Sequence, residues 1–398
     1  MVTSVMMLDV ADLPVRLGRE RGPVHTLLVQ VAVARMTSMT NDARRGSPLV
    51  PFSLRIDVLD RMLNLEIADD PVYQGLEIQV FDDPDHGRGM TVFLSRRADG
   101  RTDVYYQPGL ELDPTTYAIG GGLGAWVECE FEVGRLAISP EGVDAEVRFT
   151  DVDGRMIEVR VGDRTRRERR TAAFLAPMGA AITDPRSLPL VWMSRFDLLR
   201  RTSDPPVIRI DGRQASAGRL PAEWLLRRRL IKVASDLCVV SVNPVEDDSV
   251  YLTSDVANGE VLAGPSGVQT IAATRGPHKA VLRFDPPFPD VSSPVSGATT
   301  GTWDLTIDAT PIVAGKWSAS RKDGEVRLGF DVTEGWRPTG LPMLMKVVTR
   351  VTPVFRRWPT TYRWTATVTI NHPPSMTARW ERTGTERGES YRALTGTE

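Results

Sequence analysis

The tryptophans are the first residues whose type and placement suggest chemistry. Trp303, Trp317, Trp336, Trp358, Trp364 and Trp380 all lie in the last quarter of the 398-residue chain. An indole ring carries a large apolar area and one N–H that can orient a polar group of a ligand. Such a cluster either fills the core of a small β unit or forms the aromatic walls of an apolar ligand site. Trp303 and Trp364 sit on the apolar phase of alternating runs, and Trp317 precedes a hairpin signal at Lys322-Asp323-Gly324. Together with Tyr362, which opens the run carrying Trp364, they are the expected ligand-binding residues. Acid–base work in such a site needs a buried Asp, Glu or His. Asp304 and Asp308 stand on the phase opposite Trp303, so they are expected to face water. The four histidines, His25, His86, His278 and His372, show no HExxH or HxH spacing, so no metal site is expected. His278 and His372 flank strand runs and read as polar loop residues. Spacing alone assigns no catalytic residue.

Other candidate motifs read as scaffold. The acidic turn Asp82-Asp83-Pro84-Asp85-His86-Gly87 lacks the ligand spacing and later glutamate of a calcium loop, and is expected to be a solvated turn. Gly120-Gly121-Gly122-Leu123-Gly124 precedes a strand rather than a helix and has no Lys-Ser or Lys-Thr after it, which excludes a phosphate-cradling loop. Gly-x-Ser-x-Gly is absent, and no dinucleotide fingerprint stands in a strand–loop–helix setting, so no cofactor is expected. Glu128, Glu130 and Glu132 form a wet strand face. The run Arg164-Thr165-Arg166-Arg167-Glu168-Arg169-Arg170 reads as a solvated face, since nothing beside it stacks a base. With a net charge of -2, nucleic acid is not an expected partner. Cys129 and Cys238, the two cysteines, are expected to be small core residues.

These residues need a framework, and the alternation of apolar and polar residues supplies it. Val127, Cys129, Phe131 and Val133 alternate with glutamates; Val143, Ala145, Val147 and Phe149 alternate with Asp144, Glu146 and Arg148; Ile157, Val159 and Val161 alternate with Glu158 and Arg160. Successive strand side chains point to opposite faces, so each run has one dry and one wet side. Asp153-Gly154 supplies the positive φ of a tight turn. Residues 125–164 therefore read as an antiparallel meander. Further strand runs begin at Leu54 and continue to Trp380, with residues 343–354 ambiguous between helix and strand. At 41% hydrophobic and 25% charged residues the composition is that of a soluble globular protein. No run of about 18 apolar residues occurs, so no membrane span is expected. Residues 1–48 show no export signal and no strand pattern. They are expected to be disordered or an upstream extension of the reading frame, in a cytoplasmic protein.

In this pattern the chain resembles the tandem lipocalin-like proteins, which include carotenoid hydratase-like and pericyclase-like members. The likeness is carried by the 125–164 meander, by Trp303-Asp304-Leu305-Thr306-Ile307, and by Lys322-Asp323-Gly324 leading into residues 326–332. It covers the β regions from 54 to 380. The resemblance implies an all-β protein of two antiparallel β-barrel or β-sandwich lobes with few helices. It implies an apolar isoprenoid- or polyketide-like ligand, bound and isomerised, cyclised or hydrated without a cofactor. The pattern places an N-terminal lobe at 49–243, a C-terminal lobe at 244–382 and a polar tail at 383–398. A carbohydrate-binding or carbohydrate-cleaving β-sandwich and a non-enzymatic interaction module are the alternatives. Inward-facing tryptophans favour the apolar ligand, and a flat exposed row favours sugar.

Overall fold

The computed structural model describes residues 7–8 and 49–383, apart from 115–116, 221–222, 246–258, 265–266, 293–296, 323, 353 and 371–373. The expectations for the rest of 1–48, for His25 and His372 and for the tail after 383 lie outside the described residues. Strands make up 61% of the structure and helices 7%, so the all-β expectation holds.

Strands β1 (Leu54–Glu66), β2 (Tyr73–Asp83), β3 (Gly87–Arg96) and β4 (Thr102–Tyr106) are joined as antiparallel hairpins. β5 (Leu123–Glu128) pairs parallel to β4. The chain then leaves this sheet, and β6 (Val133–Ile138), β7 (Val143–Thr150) and β8 (Met156–Gly162) begin a second one. β9 (Ala172–Ala176) and β10 (Leu188–Arg200) return to the first sheet. β11 (Val207–Ile210) and β12 (Arg213–Ala215) complete the second, and β13 (Arg228–Val242) lies between β10 and β1 in the first. The first sheet thus has eight strands and the second has five.

The C-terminal part is one eight-stranded meander in sequence order. It comprises β14 (Gly259–Gly264), β15 (Gly267–Arg275), β16 (His278–Phe288), β17 (Ala298–Ile307), β18 (Thr310–Lys322), β19 (Glu325–Glu334), β20 (Tyr362–Thr369) and β21 (Ser375–Arg382). Helix α1 (Met343–Val351) resolves the ambiguity over 343–354 in favour of helix for most of that span. The edge strands of each eight-stranded sheet stay unjoined, so none of the sheets is a closed barrel.

Alternation explains the packing. Val143, Ala145, Val147 and Phe149 of β7 are buried, as are Ile157, Val159 and Val161 of β8. They meet Leu63, Leu65, Leu76, Ile78, Val92 and Leu94 from the first sheet. Gly154 takes φ +80° in the β7–β8 turn, as its sequence predicts. One expectation is corrected. Residues 127–133 are not one strand: β5 stops at Glu128 and β6 starts at Val133. The chain crosses from one sheet to the other there, and Phe131, stacked on Phe149 at 5.1 Å, is buried in the crossing. Phe149→Ala should destabilise by about 3–5 kcal/mol, and Arg160→Ala on the wet face of β8 by no more than about 0.5 kcal/mol. Denaturant melts of the two variants check the phase.

Candidate active site

The sequence-predicted aromatics lie in the interior of the C-terminal sheet. Trp303 is 2% exposed, and Trp317, Trp364 and Tyr362 are each 1% exposed. Glycines make room for two of the indoles. A Cβ at Gly301 would meet the Trp317 ring at 2.5 Å, and one at Gly315 would meet Trp303 at 2.6 Å. Trp303 stacks on Phe330 at 4.1 Å, and Phe288 meets Trp317 edge-on at 5.1 Å. Phe52, from just ahead of β1, enters this cluster 4.7 Å from Phe288 and 5.5 Å from Trp364. The protein's own ring therefore fills the space between them. The indole N–H groups of Trp303, Trp317 and Trp364 have no acceptor among the described residues. The hydroxyl of Tyr362 donates to the Gly179 carbonyl at 2.7 Å, which ties β20 to the N-terminal part. These tryptophans form no exposed row.

A second set of buried groups lies on the face of the first sheet opposite the five-stranded one. Leu198, Lys232, Asn64, Glu77, Phe93 and Val104 stand directly across from one another on six neighbouring strands. Glu77, at the centre, is 2% exposed. Asn64 Nδ2 donates to its Oε2 at 3.0 Å and Gln79 Nε2 to its Oε1 at 2.7 Å. Lys232 Nζ donates to Asn64 Oδ1 at 3.1 Å. Burial pushes the Glu77 carboxyl up to about 7, against the opposing pull of the two amides and the Lys232 charge. Gln79 Oε1 and Thr91 Oγ1, both buried beside it, have no partner among the described residues. On one side an aromatic wall rises: Phe93 to Tyr117 at 6.1 Å, Tyr117 to Trp126 at 5.0 Å, Trp126 to Tyr106 at 5.4 Å. A carboxyl that titrates near neutrality can both give and take a proton.

The same face continues to the seam with the C-terminal sheet. Glu77, Gln79, Phe81 and Asp83 occupy alternate positions of β2 and so share one side. Arg275, at the end of β15, donates to Asp57 at 3.1 Å, to Asp83 at 3.2 Å and to Asp85. Asp83 also holds His86 Nδ1 at 2.9 Å. Burial alone would raise the Asp83 carboxyl; the hydrogen bonds and charge of His86, with backbone amides of His86 and Asp85, outweigh it and hold it at about 2. Across the β15–β16 turn, His278 Nδ1 lies 2.8 Å from Asp308 Oδ2. Both imidazoles are 2% exposed, and neither Nε2 has a partner among the described residues. The contact of each Nδ1 with a carboxylate fixes the orientation of its ring.

Two expectations change here. His278, read as a polar loop residue, is buried at the start of β16; Asp308 is exposed, as its phase predicts, and its carboxylate reaches the His278 ring. The acidic turn 82–87 is not freely solvated, because the β15–β16 hairpin seats Arg275 on it. Cys129 and Cys238 are raised by burial, Cys129 to about 11 and Cys238 further, as suits packing residues rather than nucleophiles. No cluster of three or more metal-ligating side chains occurs among the described residues. No protein-family model, curated protein or solved structure matches the chain.

Glu77 was not among the residues that spacing singled out. Leu76, Ile78 and Val80 read as the dry phase of β2, which assigns Glu77 to water. The available signal was Phe81, Phe93 and Val104, apolar residues on the supposedly wet phase.

The raised Glu77 carboxyl fixes the sign of a pH effect. Its contribution to stability is complete below its ordinary value of 4.5 and is lost as pH rises through about 7. Glu77→Gln should raise the Tm near about pH 8 and leave it little changed near about pH 5, in thermal melts at both values. Phe52→Ala should cost about 3–5 kcal/mol and admit an apolar fluorescent probe to the space between Phe288 and Trp364. A probe titration alongside the melt checks this.

Proposed function

We propose that the protein binds an apolar small molecule, isoprenoid- or polyketide-like, in a two-lobed lipocalin-like β framework. It moves a proton on that molecule without a cofactor. The observation that carries this reading is Glu77, a fully buried carboxyl held at about 7 beside an aromatic wall. In this reading Gln79 Oε1 and Thr91 Oγ1, without partners among the described residues, orient a polar group of the molecule. The tryptophans belong to the same apolar interior, and in this reading Trp303, Trp317 and Trp364 take the apolar end of the ligand in place of Phe52. Their inward placement supports an apolar ligand over a sugar. In an isomerisation, protonated Glu77 gives its proton to one double-bond carbon, and the carboxylate takes one from the carbon attached to the other end, so the double bond moves one place. Hydration would instead add one water across the same bond.

Native mass spectrometry of protein purified from its own host should find a retained apolar molecule. Incubated with that molecule in deuterated water, the protein should incorporate deuterium into it. Glu77→Gln should lower the incorporation by about 10²–10⁴-fold while retaining the molecule. No retained molecule, or incorporation unchanged in the variant, would overturn the reading.

A further inference from the structure

The ends of β10 and β13 gather arginines around one groove of about 910 Å³. Arg166, Arg167, Arg170, Arg201 and Arg227 line it, all exposed, and their guanidinium groups have no acceptor among the described residues. One exposed acid, Glu168, also lines the groove, and two further acids are engaged beneath it. Asp163 and Asp197 hold buried Arg169 at 2.9 and 3.0 Å, and Asp163 holds Arg200 at 3.3 Å. Arg169 Nε is itself buried without an acceptor among the described residues. The rim therefore sets five exposed arginines against one exposed carboxylate and is positive, on a chain whose net charge is -2.

Next to this rim stands the helical turn Glu223–Leu226. Trp224 is 71% exposed and Leu225 is 66% exposed. Arg201 lines both the arginine groove and the adjoining one that Trp224 borders, so charge and apolar tip form one continuous face. An exposed Trp–Leu pair flanked by arginines suits the interface of a bilayer. The indole and leucine enter at headgroup depth while guanidinium groups meet phosphates. Single-stranded nucleic acid would need successive stacking platforms. Trp224 is the one exposed large aromatic among the described residues, and Leu225 has no π face.

We propose that this face docks the protein on an anionic lipid bilayer, with Trp224 and Leu225 entering the interfacial region. The proposal does not depend on the role of Glu77. The face lies at the Arg228 end of β13, and none of its residues belongs to the row that crosses the sheet through Lys232, Asn64 and Glu77.

Flotation of the full chain with vesicles tests it. Binding to phosphatidylcholine vesicles containing phosphatidylglycerol should exceed binding to phosphatidylcholine alone by at least about ten-fold and fall with added salt. The double variant R166A/R170A should lose on the order of 30-fold in binding, at the loss per basic residue expected near an anionic surface. Trp224→Ser should weaken binding but preserve its salt dependence. In the unaltered protein, the acrylamide-quenchable part of the tryptophan emission should become protected on the anionic vesicles. All substituted residues are exposed, and a melt of each variant confirms the fold. Equal binding to both vesicle types would overturn the proposal. So would double-variant binding equal to the unaltered protein's, or tight binding of a single-stranded oligonucleotide with both vesicle types inert.

Discussion

β1 and β2 lie in a sheet covered on both faces, so the polar residues they carry are shut off from water. One face meets the five-stranded sheet through Leu63, Leu65, Leu76 and Ile78. The other bears Asn64, Glu77 and Gln79, each no more than 3% exposed. An antiparallel sheet with one wet face could solvate such groups; here each must find its partner inside. Lys232 serves Asn64, and Asn64 and Gln79 serve Glu77. The series ends at Gln79 Oε1, which lacks a donor, and Thr91 Oγ1, which lacks a partner, among the described residues. Burial that costs a charge so much is resolved by a proton, which is why the Glu77 carboxyl is driven up to about 7.

The same covering explains how the C-terminal sheet is held. Arg275 places one guanidinium against carboxylates of β1 and of the β2–β3 turn. Trp380 Nε1 donates to the Asn243 carbonyl at 2.8 Å, and Phe52 inserts among the aromatics of the C-terminal sheet. Because these links cross the chain near residue 244, the apolar interior runs without a break from β10 to β21. A ligand entering that interior would touch residues from both parts of the sequence.

Strand content and most hairpins were legible in the sequence, because a half-buried strand writes its burial as a period of two. Val147, Val159 and the Gly154 turn read directly. What a period of two cannot express is a strand with two dry faces, and that hid Glu77. Phe52 was hidden differently: it precedes the first alternating run, and only the tertiary fold brings it to Phe330. His278 and Asp308 are 30 positions apart and meet because β16 and β17 pair in register. No local spacing carries that information.

Two buried carboxylate systems in this protein resolve the same problem in opposite ways. Asp163 is met by two guanidinium groups, Arg169 and Arg200, each bringing a full positive charge to hydrogen-bond distance. Glu77 receives a neutral amide donor on each oxygen, and Lys232, hydrogen-bonded to Asn64, acts on it by charge alone. Two donors on two oxygens favour the carboxylate, which can accept both; burial favours the acid, which carries no charge. Guanidinium pairing would have decided the contest for the charged form and made the site a brace. Amides leave the two forms near balance at neutral pH, and that balance is what a group that must both give and take a proton requires.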